Sequence, residues 1–128
     1  MSRTSVVCSP ETGDIVGYVS LSATHIERAW LPKGEQRNRP DTVPAALLGQ
    51  LAVDRRHQRR GHARSLMFFA LTTAVRLSRQ IGCFCVLTHP LDDGVRAFYR
   101  SFGFEELPFD PARSMAVRIV DLEHNGIG

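Results

Sequence analysis

The stretch of this chain best equipped for chemistry is Gln58-x-x-Gly61-x-Ala63, flanked by Arg55, Arg56, Arg59, Arg60 and Arg64. It follows the apolar run Leu47 to Val53 and precedes an apolar-periodic segment, so it reads as a buried strand, a tight basic loop and the first turn of a helix. Backbone N–H groups at a helix N-terminus form a site for phosphate or pyrophosphate. The small residues Gly61 and Ala63 let the backbone approach such a group closely, and arginine suits bidentate phosphate contacts. A lone charge run is ordinarily a solvated face; a glycine loop at a helix start favours phosphate binding here.

Other reactive types are sparse. His25, His57, His62, His89 and His124 show no metal-ligand spacing and read as surface or packing residues, although His57 and His62 flank the loop and can reach a ligand held there. Cys83-x-Cys85 lies in an apparent strand, which predicts side chains on one face, and no partner cluster for a metal is nearby. Neither G-x-x-x-x-G-K-[ST] nor G-x-G-x-x-G occurs, which argues against an NTPase and a dinucleotide-binding fold. Tyr99 belongs by periodicity to a packing stripe with Val95, Phe98 and Phe102.

The elements that must position these groups can be read in order. At 128 residues the chain, 1–128, is expected to be a single domain. It is 43% hydrophobic and 23% charged, as is ordinary for a globular protein, and its net charge is +3. Lys33 is the one lysine among the basic residues. No apolar run is long enough to span a membrane, and Met1 to Ser5 lacks the apolar core of a secretory signal. A reduced, cytoplasmic setting is expected.

Ser5 to Cys8 and Ile15 to Leu21 read as a hairpin. From about Ser22 to Pro44 the chain is expected to be a long polar connection, broken by Pro32, Pro40 and Pro44. The helix after the loop has its apolar stripe at Ala63, Leu66, Met67, Ala70, Leu71, Ala74, Leu77 and Ile81, with Gly82 as its C-terminal cap. Met67 reads as packing. Cys83 to Thr88 follows as a buried strand, parallel to the first through a helical crossover. Asp92 or Asp93 caps a second helix that Gly103 closes. Phe104 to Leu107 and Ser114 to Val120 read as the last strands, and Glu123 to Gly128 as a loose tail. The fold class is α+β: a mixed, twisted sheet with helices on both faces.

Gln58-x-x-Gly61-x-Ala63 resembles the acyl-CoA loop of the GNAT superfamily of N-acetyltransferases, Q/R-x-x-G-x-G/A. Ala97-Phe98-Tyr99-Arg100-Ser101-Phe102-Gly103-Phe104 is similar to the superfamily's A-x-x-x-Y-x-x-x-G-F stretch. Asn38 to Asp41, Leu48 to Asp54, His89 to Asp93 and Ala97 to Arg100 resemble one branch, the tRNA-acetylating toxins paired with ribbon-helix-helix antitoxins. The resemblance covers about Ser5 to Leu122. The usual opening strand and two helices are expected to be missing, and with them a wall of the acceptor groove. Gln50 stands where that branch is associated with arginine.

The resemblance implies a GNAT fold, acetyl-CoA as co-substrate with no metal, a homodimer, and transfer of acetyl to the α-amine of aminoacyl-tRNA. It implies that Leu51, Ala52 and Val53 hold the pantetheine, and that Gln58, Arg59, Arg60, Gly61, His62, Ala63 and Arg64 bind the pyrophosphate. Tyr99 is implied as the acid that protonates the departing thiolate. A phenol with an ordinary pKa near ~10 can serve a thiol near ~8.5. No base is evident, because Asp54 at the strand end suits a turn. An α-amine, ordinarily near ~7.7–8.0, needs a base less than a lysine does. Arg28, Lys33, Arg37, Arg39, Arg76, Arg79, Arg96 and Arg100 can contact RNA or form ordinary surface charge with Glu27, Glu35, Asp41, Asp92 and Asp93. Two alternatives stay open: a GNAT enzyme acting on a protein or small-molecule amine, and a shortened, inactive GNAT domain that binds CoA or a partner.

Overall fold

The computed structural model describes residues 2–8, 15–53 and 62–127. The strands are β1 (Ser2–Cys8), β2 (Ile15–Glu27), β3 (Thr42–Val53), β4 (Cys85–Thr88), β5 (Glu105–Glu106) and β6 (Met115–Arg118). The helices are α1 (Lys33–Gln36), α2 (His62–Ile81), α3 (Asp93–Arg100) and α4 (Ile119–His124), with a 3-10 turn at Arg28–Trp30. The strands form one sheet in the order β1-β2-β3-β4-β6-β5; β3 and β4 are parallel, and every other pair is antiparallel.

Two cores lie on the two faces of the sheet. Leu66, Met67, Ala70, Leu71, Ala74 and Val75 of α2 pack with Val19, Leu21, Ala46, Leu48 and Val86, together with Tyr99, Phe104, Ile119 and Leu122. Leu66, Met67, Ala70, Leu71 and Ala74 of the expected α2 stripe are therefore buried and Val75 joins them, whereas Ala63 and Leu77 are half-buried; Gly82 closes the helix at φ +72°. On the opposite face Ile26, Val43, Ala45, Cys85 and Leu87 pack against Leu31 and Leu107, beneath the short 3-10 turn and α1.

Several expectations are corrected. The connection is shorter than Ser22 to Pro44, because β2 runs on to Glu27 and β3 begins at Thr42. Burial of Ile26 and Val43 extends the hairpin. Pro44 is tolerated in β3 because its carbonyl accepts from the Phe84 N–H at 2.8 Å, just before β4 begins at Cys85. In an extended residue the nitrogen points to that same side, so no ladder bond is lost. Cys83 and Cys85 do not share a face: Cys83 still belongs to the turn after α2 and packs with the first core, whereas Cys85 packs with the second. The last strand ends at Arg118, where Asp121 takes the guanidinium in two bonds of 2.9 and 3.0 Å and α4 begins. The tail is not loose through Ile127, which packs against the first core.

The hairpin register carries one further feature. Val19 pairs with Leu51 and Leu21 with Leu48, so Ser20 faces both Gly49 and Gln50, a β-bulge in β3. The extra residue explains why Leu48 and Leu51, three apart, both pack on the same core. It also explains the glycine, because a Cβ on Gly49 would stand 2.7 Å from Ser20 Oγ. Gly49→Ala should cost about 1–3 kcal/mol in urea unfolding. The same change in a Ser20→Ala background should cost less, with a coupling of about 1 kcal/mol in the double-mutant cycle.

Candidate active site

The parallel pairing of β3 and β4 ends at Leu48 opposite Thr88. The buried Thr88 hydroxyl donates to the Leu48 carbonyl at 3.2 Å, closing the last rung. Beyond it β3 continues to Val53, paired with β2 alone among the described residues: Leu51 with Val19, Ala52 with Tyr18 and Val53 with Gly17. The sheet thus forks, and the β4-facing edge of 49–53 keeps backbone donors and acceptors available to an extended amide-bearing group.

The chain then leads toward the N-terminus of α2. Gln58, Arg59, Arg60 and Gly61, with Arg55, Arg56 and His57, lie outside the described residues, as does Asp54. His62 opens α2, followed by half-buried Ala63 and exposed Arg64. The first turn of this 20-residue helix holds no acidic residue, so no side chain of that turn opposes its positive end. Arg64 lays its guanidinium over the Phe102 ring, 4.9 Å from the centroid. That contact draws the start of α2 to the end of α3.

Helix α3 follows β4 directly. Asp92 is the cap: its Oδ1 accepts from the Val95 N–H at 2.8 Å. Tyr99 is 8% exposed, with ring centroids 5.3 Å from Phe104 and 5.8 Å from Phe98. Its ring is fixed by packing while its hydroxyl has no hydrogen-bond partner among the described residues. Packing and proton donation are therefore compatible at this position.

The arginines divide. Arg96, expected on a helix face, is buried; it donates to Glu106 at 2.9 Å and to the Arg113 carbonyl at 3.0 Å. Arg100 and Arg113 reach the same Glu106 oxygen at 3.5 and 2.8 Å. Arg28 pairs with Asp41 at 3.1 Å, Arg79 with Glu123 at 3.6 Å, and Arg39 stacks on Phe84 at 4.0 Å. Lys33, Arg37 and Arg76 are exposed.

The β5–β6 loop is a site element that sequence reading passed over. Asp110, 7% exposed, accepts from the backbone N–H groups of Ala112 at 2.9 Å and Ser114 at 3.1 Å. Burial alone would raise its pKa; these bonds and the nearby His89 hold it below the ordinary value. His89 Nδ1 lies 2.8 Å from Ser114 Oγ. An Asp and a Ser spaced across a Pro-rich turn were the available signal. Elsewhere burial, with Cys83 and Glu35 adding to it, pushes the Cys85 thiol up to about 12, an inert core thiol. No group of three or more potential metal ligands occurs among the described residues, and none of their helices is long and apolar enough to cross a membrane.

Comparison with known proteins agrees with this geometry. Residues 2–106 match the family model of the acetyltransferase (GNAT) domain. A tRNA-acetylating toxin of Mycobacterium tuberculosis (strain ATCC 25618 / H37Rv) is 40% identical over 114 residues, which are 89% of this chain and 68% of that protein. A probable toxin TacT of Sinorhizobium fredii (strain NBRC 101917 / NGR234) is 28% identical over 120 residues, covering 87% of this chain and 66% of its own length. The chain thus spans about two thirds of the length of these relatives. Among solved structures, AtaT complexed with acetyl-methionyl-tRNAfMet superimposes with a TM-score of 0.88 at 28% identity, covering 98% of this chain and 75% of that one. AtaTR bound with AcCoA gives 0.81 at 26% identity, covering 98% and 74%. A strand fork of this kind, followed in the chain by a long helix, agrees with the match to an acetyltransferase domain. The chain belongs to the GNAT acetyltransferase family.

The Glu106 node gives a pH test. Hydrogen bonding from Arg113 is the largest cause and, with the charges of Arg113, Arg96 and Arg100, lowers its pKa from the ordinary 4.5 against the opposing effect of burial. A depressed folded pKa means stabilisation that is present above the unfolded value and lost as pH falls through the folded one. Melting temperatures of the wild type and Glu106→Gln should therefore differ at pH 7 and converge in acid below pH 4.5.

Proposed function

We propose that this chain transfers the acetyl group of acetyl-CoA to the α-amine of aminoacyl-tRNA, as the toxin of a toxin–antitoxin pair. The observation that carries the reading is the fork at Leu48 and Thr88, which leaves one edge of β3 open on the path to α2. The acceptor is supported by the 40% identity with a tRNA-acetylating toxin. Acetyl-CoA supplies an acyl thioester already activated toward amines.

The residues of the chain do the rest. Leu51, Ala52 and Val53 offer backbone amides and carbonyls along the open edge, and the bulge at Gly49 and Gln50 turns that edge away from regular pairing. Gln58, Arg59, Arg60, Gly61, His62, Ala63 and Arg64 hold the pyrophosphate through backbone N–H groups and positive charge at the α2 N-terminus. Tyr99 keeps its phenol at a fixed place through ring packing and gives its proton to the leaving sulfur. The exposed Lys33, Arg37 and Arg76 are available to an RNA backbone, whereas Arg28, Arg39 and Arg96 are engaged within the protein. A homodimer, a ribbon-helix-helix antitoxin as its inhibitor and a cytoplasmic location complete the proposal, as the resemblance of the sequence motifs implies.

The test is transfer of label from radiolabelled acetyl-CoA to a bulk aminoacyl-tRNA pool. The wild type should label tRNA. Tyr99→Phe should keep its melting temperature within a few degrees and lose about 100-fold or more in turnover, since the ring stays and only the acid is removed. Binding of acetyl-CoA without label in tRNA would direct the search to protein or small-molecule amines.

A further inference from the structure

We infer that His89, held by Ser114 and Asp110, is the base that takes the proton from the acceptor ammonium; the inference rests on the acetyltransferase reading above and names the group that sequence reading lacked. Three observations carry it. The first is position. Thr88 is the last residue of β4 and pairs with Leu48 on one side and Met115 on the other, so His89 leaves the sheet where β3 and β4 part. Pro90 and the Asp92 cap then start α3, the helix that bears Tyr99. The base and the acid are thus placed by one short segment at one end of the sheet.

The second is which ring nitrogen the protein engages. Asp110 accepts from the Ser114 backbone N–H at 3.1 Å, which fixes Ser114 beside the ring. Buried Ser114 places its Oγ 2.8 Å from His89 Nδ1, so Nδ1 is the ring nitrogen that the protein engages. The base role requires the neutral ring to carry its proton on Nδ1, donated to Ser114 Oγ, with the lone pair on Nε2. The third is access. His89 is exposed, and Nε2 has no partner among the described residues. Asp110 is the charged group facing the ring from the β5–β6 loop; on its own segment, Asp92 is occupied by the Val95 N–H and Asp93 lies 4.0 Å from Arg96.

The proton balance follows. Nε2 takes one proton from the acceptor ammonium, and the freed nitrogen lone pair forms the new N–C bond at the acetyl carbonyl. The C–S bond breaks with its electron pair going to sulfur, which takes the phenol proton of Tyr99. The surplus proton on the new amide nitrogen restores the phenol, and the imidazolium releases its proton to water. One acetyl group moves, and one proton is released for each ammonium consumed.

The experiment compares the wild type, His89→Gln and Ser114→Ala in the aminoacyl-tRNA assay from pH 7 to 8.5, with acetyl-CoA affinity measured alongside. Without its base, His89→Gln must wait for neutral amine, so kcat/KM should fall about tenfold at pH 7 and only about twofold at pH 8.5 for an α-amine near its ordinary pKa. Acetyl-CoA affinity should stay within about twofold. Histidine ring 15N spectra of the wild type should show the Nδ1–H tautomer for His89, and Ser114→Ala should lose it. Activity equal to the wild type, a loss that is the same at every pH, or an Nε2–H tautomer in the wild type would each overturn the assignment. An inactive wild type that binds acetyl-CoA and has the Nδ1–H tautomer would instead overturn the proposed function, and the base role with it.

Discussion

The arrangement depends on where two parallel strands stop pairing. A continuous β3–β4 ladder would consume every backbone donor and acceptor along β3 and leave nothing to bind. Closure of the last rung by the Thr88 hydroxyl, and the bulge opposite Ser20, divide β3 into a part buried as structure and a part kept as an edge. The cost of unpaired backbone in a sheet is acceptable only at a surface or against a ligand. Helix α2, α3 and the β5–β6 loop are all disposed around that end of the sheet.

Around the fork, the same side chains serve packing and placement. Asp92 caps α3 and so sets the start of the helix that holds Tyr99, while Phe98 and Phe104 fix the ring. Arg96 is buried because it ties Glu106 of β5 to the Arg113 carbonyl of the loop, and the loop in turn carries Asp110 and Ser114. A guanidinium with several satisfied donors can lie inside a protein where a lysine could not do the same work. The loop between β5 and β6 is thereby linked to α3 through arginine and to the end of β4 through His89.

Much of this was legible in the chain itself. The α2 stripe from Leu66 to Ala74 and its Gly82 cap follow from helical periodicity, and the Asp92 cap and the Gly103 stop follow from local chemistry. The two motifs, Gln58 to Ala63 and Ala97 to Phe104, pointed to the family because they flank the β4 strand in the right order. What escaped depends on partners distant in sequence. Gly49 reads as an ordinary strand residue until Ser20 is placed beside it. Arg96 reads as surface charge until Glu106 approaches. His89, Ser114 and Asp110 become one chain of hydrogen bonds only after β4 and β6 pair. Ile119 and Val120 continue a β-like run in sequence, yet α4 begins at Ile119, where Asp121 captures Arg118.

The order of the strands has a consequence for assembly. β5 closes the sheet with only Glu105 and Glu106, and Glu106 is occupied by arginines reaching across from α3 and the loop. An edge so short and so heavily charged gives an incoming strand almost nothing to pair with, the same means by which β proteins resist edge-to-edge aggregation. The sheet therefore ends on that side in a strand that offers little to an incoming one, beside the loop that carries Ser114.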